Sequence, residues 1–392
     1  MDKRRKLKDK LAISWREQTI QETKASLEDI ERKLILSHET ERKKEEAKAV
    51  SKISEDAAFF FRFAKKKAKL KPEIGPFELN GEITHDPRQK AEILKNHFES
   101  VFVPPGEGET SVTINMNTQE NEICLDDIVF TEDEIVKRIN EIRSTAAAGM
   151  DDIPALLLKN CAESIKKPLY KVWRDSLDLG QIAEIHKKGI ITPIPKGGVR
   201  GNPKNYRPVS LTSHLIKIFE KIIGKKVMEF LENNDKLNKN QHGFRGGRSC
   251  LSQLIEHQNR ILEGMENNED VDVVYLDFAK AFDKVHHGVL IQKLQNAGIT
   301  GKLLKWINNF LSNRKQTVSV EGCFSSESDV TSGVPQGSVL GPILFLVHIS
   351  DIDQGTHHCK VSSFADDTRI MKTIKEENDR TLMQNDLNSI YQ

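Results

Sequence analysis

The sequence predicts an α+β protein, and three observations predict it. Residues 1–70 contain neither Gly nor Pro and place apolar residues at helical spacing. Helical periodicity then returns in three further stretches, 88–103, 134–143 and 155–177, separated by chain breakers. From Gly189 onward, short β-rich runs alternate with helical ones, the pattern of a protein that mixes helix and sheet.

The elements follow in chain order. In the opening segment Leu27, Ile30, Leu34 and Ile35 form one apolar stripe, and Ala57, Phe60, Phe61 and Ala64 form another. Residues 1–71 hold 21 Lys and Arg against 13 Asp and Glu, with KRRK at 3–6 and KKK at 65–67. This basic helical arm is either a nucleic-acid contact or nuclear signal, or simply a solvated face. Pro72, Gly75 and Pro76 end it. Residues 72–125 carry one helix and then, from Pro104 to Leu125, a polar stretch without period that reads as a flexible linker. Residues 126–185 form a second helical region. Thr131 followed by Glu134 signals a capping box there, and AAAGMDDIP (146–154) interrupts the helices. Residues 186–392 hold the alternating strands and helices.

Composition narrows the function. No apolar run approaches the ~20 residues of a membrane span, and MDKRRKLKDK lacks the apolar core of a secretion signal. A protein without membrane contact is expected, acting in the cytoplasm and/or nucleus. Cys124, Cys161, Cys250, Cys323 and Cys359 are scattered with no C-x-x-C pair, which points to reduced structural thiols and not to a disulfide framework or zinc site. Net charge is only +1, yet residues 161–260 hold 19 Lys and Arg against 9 Asp and Glu. Basic blocks on a near-neutral chain are the footprint of phosphate backbones.

Two segments carry chemistry. In VDVVYLDFAKAFDKV (271–285), four apolar residues run straight into Asp277, placing a carboxylate at the end of what reads as a buried strand. A charge there calls for compensation, which a divalent cation provides. In CKVSSFADDTRI (359–370), Asp366 and Asp367 stand side by side between strand-forming runs, at the tip of an expected tight hairpin. Alone, such a pair reads as an ordinary acidic turn. With Asp277 it matches nucleotidyl transfer, which uses two Mg²⁺ ions about 3.5–4 Å apart on hard carboxylate oxygens, Mn²⁺ being a substitute.

These segments resemble motifs A and C of right-hand polymerases, and FADD (364–367) is similar to the catalytic box of non-LTR retrotransposon reverse transcriptases. ITPIPKGG (191–198), NYRPVSLTS (205–213), QHGFRGGRSC (241–250) and SGVPQGSVLGPILF (332–345) resemble that family's other blocks in its order. The likeness covers roughly residues 125–392 and points to the jockey- and CR1-type branch. It implies a fingers and palm fold with an antiparallel palm sheet, an RNA-directed DNA polymerase activity, and RNA template, DNA primer or target and dNTPs as partners.

Each block also has a physical reading. Lys196 beside two glycines, and Arg207, put two cations in a hairpin-like stretch suited to closing over a triphosphate, or else are surface charges. Phe244, Arg245 and Arg248 sit in a glycine-rich loop suited to gripping template phosphate and stacking on a base, or form a basic turn. Gly337 lets the backbone approach a nucleotide closely, and the resemblance sets Gln336 near the incoming nucleotide. The resemblance likewise puts Phe282 beneath the sugar, where a ring excludes a 2′-hydroxyl; otherwise it is a core Phe. His348 and Ser350 depart from the family pattern, as does AAAGMDDIP. Only 25 residues follow Asp367, so a missing thumb and a C-terminally truncated element are expected. The alternatives are a catalytically weak remnant that only binds nucleic acid, an RNA-dependent RNA polymerase, which Phe282 disfavours, and a coiled-coil scaffold through residues 1–70.

Overall fold

The structure, a computed structural model, describes residues 74–79, 81–104 and 123–391, with scattered positions between 25 and 51. Those scattered positions, in the unit Met1–Glu73, are all helical, and Lys33 reaches Asp29 one turn earlier at 2.6 Å. The two basic runs and most of the linker lie outside the described residues.

The second unit begins with a small hairpin, β1 (Phe77–Leu79) and β2 (Glu82–Thr84), and helix α1 (Pro87–Glu99). Asp86 caps α1 by accepting from the Gln89 N–H at 2.9 Å. Helix α2 (Glu132–Asn140) starts at the expected cap, where the Thr131 hydroxyl accepts from the Glu134 N–H, and ends three residues before 143. The stretch 155–177 divides at Cys161 into α3 (Ala155–Asn160) and α4 (Ala162–Leu179), and α4 stops at Gly180, whose φ of 63° a side chain would resist.

Helices α2, α3 and α4 bury their apolar faces together with α6 (His214–Asn233), α8 (His287–Asn296), α9 (Gly301–Leu311) and α10 (Leu340–His348), after a short α5 (Glu184–Lys187), whereas α1 packs with Phe77, Ile191, Tyr206, Val318 and Val320. Aromatic rings hold the centre. Trp173 stacks on Phe219 at 4.8 Å, and Phe219 meets Trp306 edge-on at 5.3 Å. Offset and edge contacts of this kind add about 0.5–1.5 kcal/mol each beyond the area they bury.

Two sheets complete the unit. The larger is mixed: β3 (Lys188–Pro195) pairs antiparallel with β4 (Tyr206–Leu211) and parallel with β6 (Arg314–Val320), to which β7 (Cys323–Phe324) and β8 (Ser328–Val330) attach. The smaller is antiparallel, as expected, with β5 (Asp270–Leu276), β10 (Asp367–Ile374) and β9 (Lys360–Phe364) in that spatial order. Helix α7 (Cys250–Glu266) lies against β5 and β9, and α11 (Glu377–Tyr391) against β10. The Asp386 carboxylate of α11 accepts from the backbone N–H groups of His357, His358 and Cys359 at 3.1, 2.8 and 2.7 Å, tying that helix to the start of β9. No helix among the described residues is long and apolar enough to cross a membrane, and all five cysteines are free.

One expectation needs correction. VVYL is not a buried strand: β5 is partly exposed along its length, and Tyr275 is 64 % exposed. It pairs only with β10 among the described residues, so it is an edge strand. Val274 and Leu276 pack on the cluster of Val361, Ile370 and Met383, while Tyr275 turns to the other face beside His257 and Arg369. Alternation along the strand was hidden because Tyr counts as apolar yet tolerates solvent.

Candidate active site

The hairpin of β9 and β10 turns through two residues, Ala365 and Asp366, with Phe364 opposite Asp367 and Ser363 opposite Thr368. Ala365 takes φ 55°, the sense that two-residue hairpins need and that Gly or Asn usually supplies. The strain is imposed by a clamp. The Gln241 side chain accepts from the Ala365 N–H at 2.8 Å and donates to the Ala365 carbonyl at 3.1 Å. His242 N–H donates to the Ser363 carbonyl, and Ser363 N–H to that of Asn240. Gly243 is packed so closely that a Cβ there would lie 2.4 Å from the Ala365 nitrogen. The glycine-rich loop and the acidic hairpin are thus one structure.

Asp277 follows the last residue of β5. Leu276 pairs with Thr368, so extending that register by one residue sets Asp277 across from Asp367. Both carboxylates are exposed, and Asp366 is half-buried. The compensation argued for a buried Asp277 therefore does not arise from its own burial. It applies to Asp366, whose carboxyl is pushed up by burial and by the charges of Asp367 and Asp277, against the pull of its own backbone N–H and of Arg207. Among the described residues no three carboxyl, imidazole or thiol groups form a ready-made metal cluster. The donors themselves fit a divalent cation, being three hard oxygen ligands whose mutual repulsion a positive ion relieves.

A cleft of about 600 Å³ opens beside Asp277 and Asp366. Seven of the eleven residues singled out from sequence line it: Lys196, Arg207, Asp277, Phe282, Gln336, Gly337 and Asp366. Lys196 follows β3, and Arg207 lies early in β4, opposite Ile194. Gly337, at φ 116°, crosses β4 so tightly that a Cβ would lie 2.6 Å from the Ser210 carbonyl oxygen, and the Ser210 N–H donates to the Gln336 carbonyl at 2.7 Å. The Phe282 ring stacks on Phe345 at 4.1 Å and meets the edge of Phe244 at 6.2 Å, so it is both cleft wall and packing element. Phe244 is 49 % exposed and leaves a face free.

The remaining predicted residues lie outside the cleft lining. Asp367 is the exposed partner in the hairpin. Arg245 donates to Glu232 through Nε at 2.8 Å and through a second guanidinium nitrogen, and to the Asn238 carbonyl at 2.6 Å. Its side chain is only 9 % exposed. Arg248 donates to the carbonyls of Lys239 and Gln241.

Three residues that bear on the cleft were not singled out from sequence. Asp283, 7 % exposed, has its carboxyl raised by burial and accepts from the Gln336 amide nitrogen at 2.7 Å. Lys280 lines the cleft beside it. Glu220, fully buried on α6, accepts from the N–H groups of Val339 and Leu340 at 2.6 and 3.0 Å and so anchors the loop carrying Gln336. The signal for the first two was the polar pair inside DFAKAFD; for Glu220 it was a lone carboxylate in the apolar stripe of LIKIFEKII.

Residues 185–392 match the family described as reverse transcriptase (RNA-dependent DNA polymerase). The chain is 29 % identical over 298 residues to the RNA-directed DNA polymerase from mobile element jockey of Drosophila melanogaster, covering 73 % of this chain and 32 % of that protein. It is 28 % identical over 278 residues to the probable RNA-directed DNA polymerase from transposon BS of the same fly, covering 69 % and 30 %. For the probable RNA-directed DNA polymerase from transposon X-element, also of that fly, the figures are 31 % over 198 residues, covering 49 % and 22 %. The chain therefore spans about a third or less of the length of these curated relatives. With the family match running over more than half of its residues and across the whole acidic cleft, the chain belongs to the reverse transcriptase family, on the branch of the non-LTR retrotransposon polymerases.

Proposed function

We propose that this chain carries the catalytic cleft of an RNA-directed DNA polymerase, joining deoxynucleotides to a primer 3′-hydroxyl on an RNA template. The observation that carries the reading is the meeting of Asp277 and Asp366 with Lys196 and Arg207 in one cleft. Carboxylates and cations in such an arrangement suit a hydroxyl nucleophile and a triphosphate. Two Mg²⁺ ions, or Mn²⁺, would be held by Asp277, Asp366 and Asp367, and when bound they supply activation of the hydroxyl and neutralisation of the developing charge.

The chain's own side chains do the rest. Lys196 and Arg207 take the phosphates by charge-assisted hydrogen bonds. Asp283 holds the Gln336 amide, which keeps Gln336 facing the nucleotide. Phe282 offers its ring to the sugar, and Phe244 offers its exposed face to a template base. Arg248 and the basic residues around it bind backbone phosphate. Arg245 shapes the loop through Glu232 instead of reaching the template. The nucleic-acid substrates suit a site of action in the cytoplasm and/or nucleus.

Primer extension on matched RNA and DNA templates, with dNTPs against NTPs, tests this. Asp366→Asn removes one ligand charge and is expected to cut extension by several orders of magnitude, the scale of lost metal assistance. Undiminished extension by Asp366→Asn overturns the assignment.

A further inference from the structure

Lys280 lies three residues after Asp277, in the turn that β5 feeds, and holds φ 58°. A non-glycine residue keeps that conformation only where its surroundings impose it, and such positions gather at ligand sites. Its Nζ is shielded from solvent and has no hydrogen-bond partner. Its close polar neighbour is the Lys196 ammonium, itself a donor, and Arg207 adds a third positive charge. Neither Lys196 nor Arg207 makes an ion pair among the described residues. The anion nearest to Lys280, Asp283, is already engaged by the Gln336 amide.

Several other shielded cations among the described residues are matched. Lys187 has Glu184, Arg245 has Glu232 and Lys293 has Asp351. Lys196 and Arg207 are exposed, so the cost of desolvation falls on Lys280, while mutual repulsion is shared by all three cations. A ligand with several adjacent negative charges removes both costs together. A single carboxylate cannot serve three donors in this way; a chain of phosphates can.

We propose that the Lys280 ammonium is a third cation of the triphosphate site, a substrate-binding residue that takes the phosphate chain together with Lys196 and Arg207. This rests on the polymerase reading of the cleft and deepens it. Because Lys280 stands in the turn leaving Asp277, a phosphate chain held there is fixed relative to the strand that presents the carboxylate.

The test is calorimetric titration of the full 392-residue chain with inorganic tripolyphosphate at low ionic strength, without divalent cation, so that the cations alone are read. Lys280→Met is expected to weaken binding roughly tenfold to a hundredfold, the worth of one charge-assisted hydrogen bond. Lys280→Arg should stay within about threefold of wild type, since it restores charge and donors, and Lys225→Met, on an exposed turn of α6, should bind as wild type does. Thermal unfolding keeps a folding defect apart: removing an unmatched shielded charge should leave the melting temperature of Lys280→Met unchanged or higher. Binding by Lys280→Met equal to wild type, or a loss of binding that comes with a lower melting temperature, overturns the proposal and leaves the polymerase reading standing. A wild-type chain that does not bind tripolyphosphate removes both.

Discussion

Phe282 is the residue on which two roles compete. Its stacking on Phe345 at 4.1 Å argues for packing, and its place in the cleft wall beside Asp277 argues for contact with the sugar. Phe282→Val separates them. If the ring screens the sugar, incorporation of NTPs relative to dNTPs should rise by roughly tenfold or more, the scale on which a pocket discriminates by fit. If it only packs, a cavity costing about 1–3 kcal/mol should depress both activities with their ratio unchanged. Steady-state incorporation of matched dNTP and NTP decides between them. At this scale the gathering of Asp277, Asp366, Lys196 and Arg207 in one cleft was legible, because charged residue types placed at strand ends and turns mark where such side chains can converge. Arg245 was not. An arginine in a glycine-rich loop looks the same whether its partner is a phosphate or, as here, Glu232 on the last turns of the preceding helix. Lys280 and Asp283 were passed over for a related reason: a polar residue in a turn carries no mark of what faces it.

Among the elements, the acidic hairpin and the glycine-rich loop behave as a unit, and Gly243 is the joint between them. A methyl group at this position would meet the Ala365 nitrogen at 2.4 Å, backbone against side chain, so one of the two segments must move. Gly243→Ala is therefore expected to displace the turn that carries Asp366. A shift near 1 Å at a reacting centre costs about a hundredfold in rate. The measurement is primer extension beside thermal unfolding, with activity falling far more than stability; full activity in Gly243→Ala would show that the loop yields without moving the hairpin. Element identity was largely readable from periodicity and caps, as at Thr131, and the hairpin was readable from its strand-forming flanks. The loop-to-hairpin clamp, the parallel pairing of β3 with β6 and the edge position of β5 were not. Each depends on partners far along the chain, and no local period encodes which distant segment will arrive.

Across the whole molecule the charge pattern gives a different kind of test. Primer–template binding should weaken steeply with salt, and Arg248→Ala should lower the slope of log affinity against log salt by about one, the share of one phosphate contact. Arg245→Ala should leave that slope alone and lower stability instead, because Glu232 would be left partly buried without its partner. Equal slopes in wild type and Arg248→Ala would remove Arg248 from the interface. The same view brings out something about the small sheet. A three-stranded sheet has two rims. On one side, residues 240–242 pair with Ser363 of β9 and occupy its outward N–H and carbonyl. On the other, β5 has no strand partner among the described residues, and Tyr275 is open to solvent. Such a rim is a template on which another copy can lay a strand, the usual first step towards aggregation. Asp270, exposed at the start of DVDVVYL, puts a charge on that rim of the kind that discourages such pairing, while Asp272 is paired with Arg380 at 3.3 Å. The strand that presents Asp277 thus also carries, at its other end, a charge that works against strand addition at its open rim.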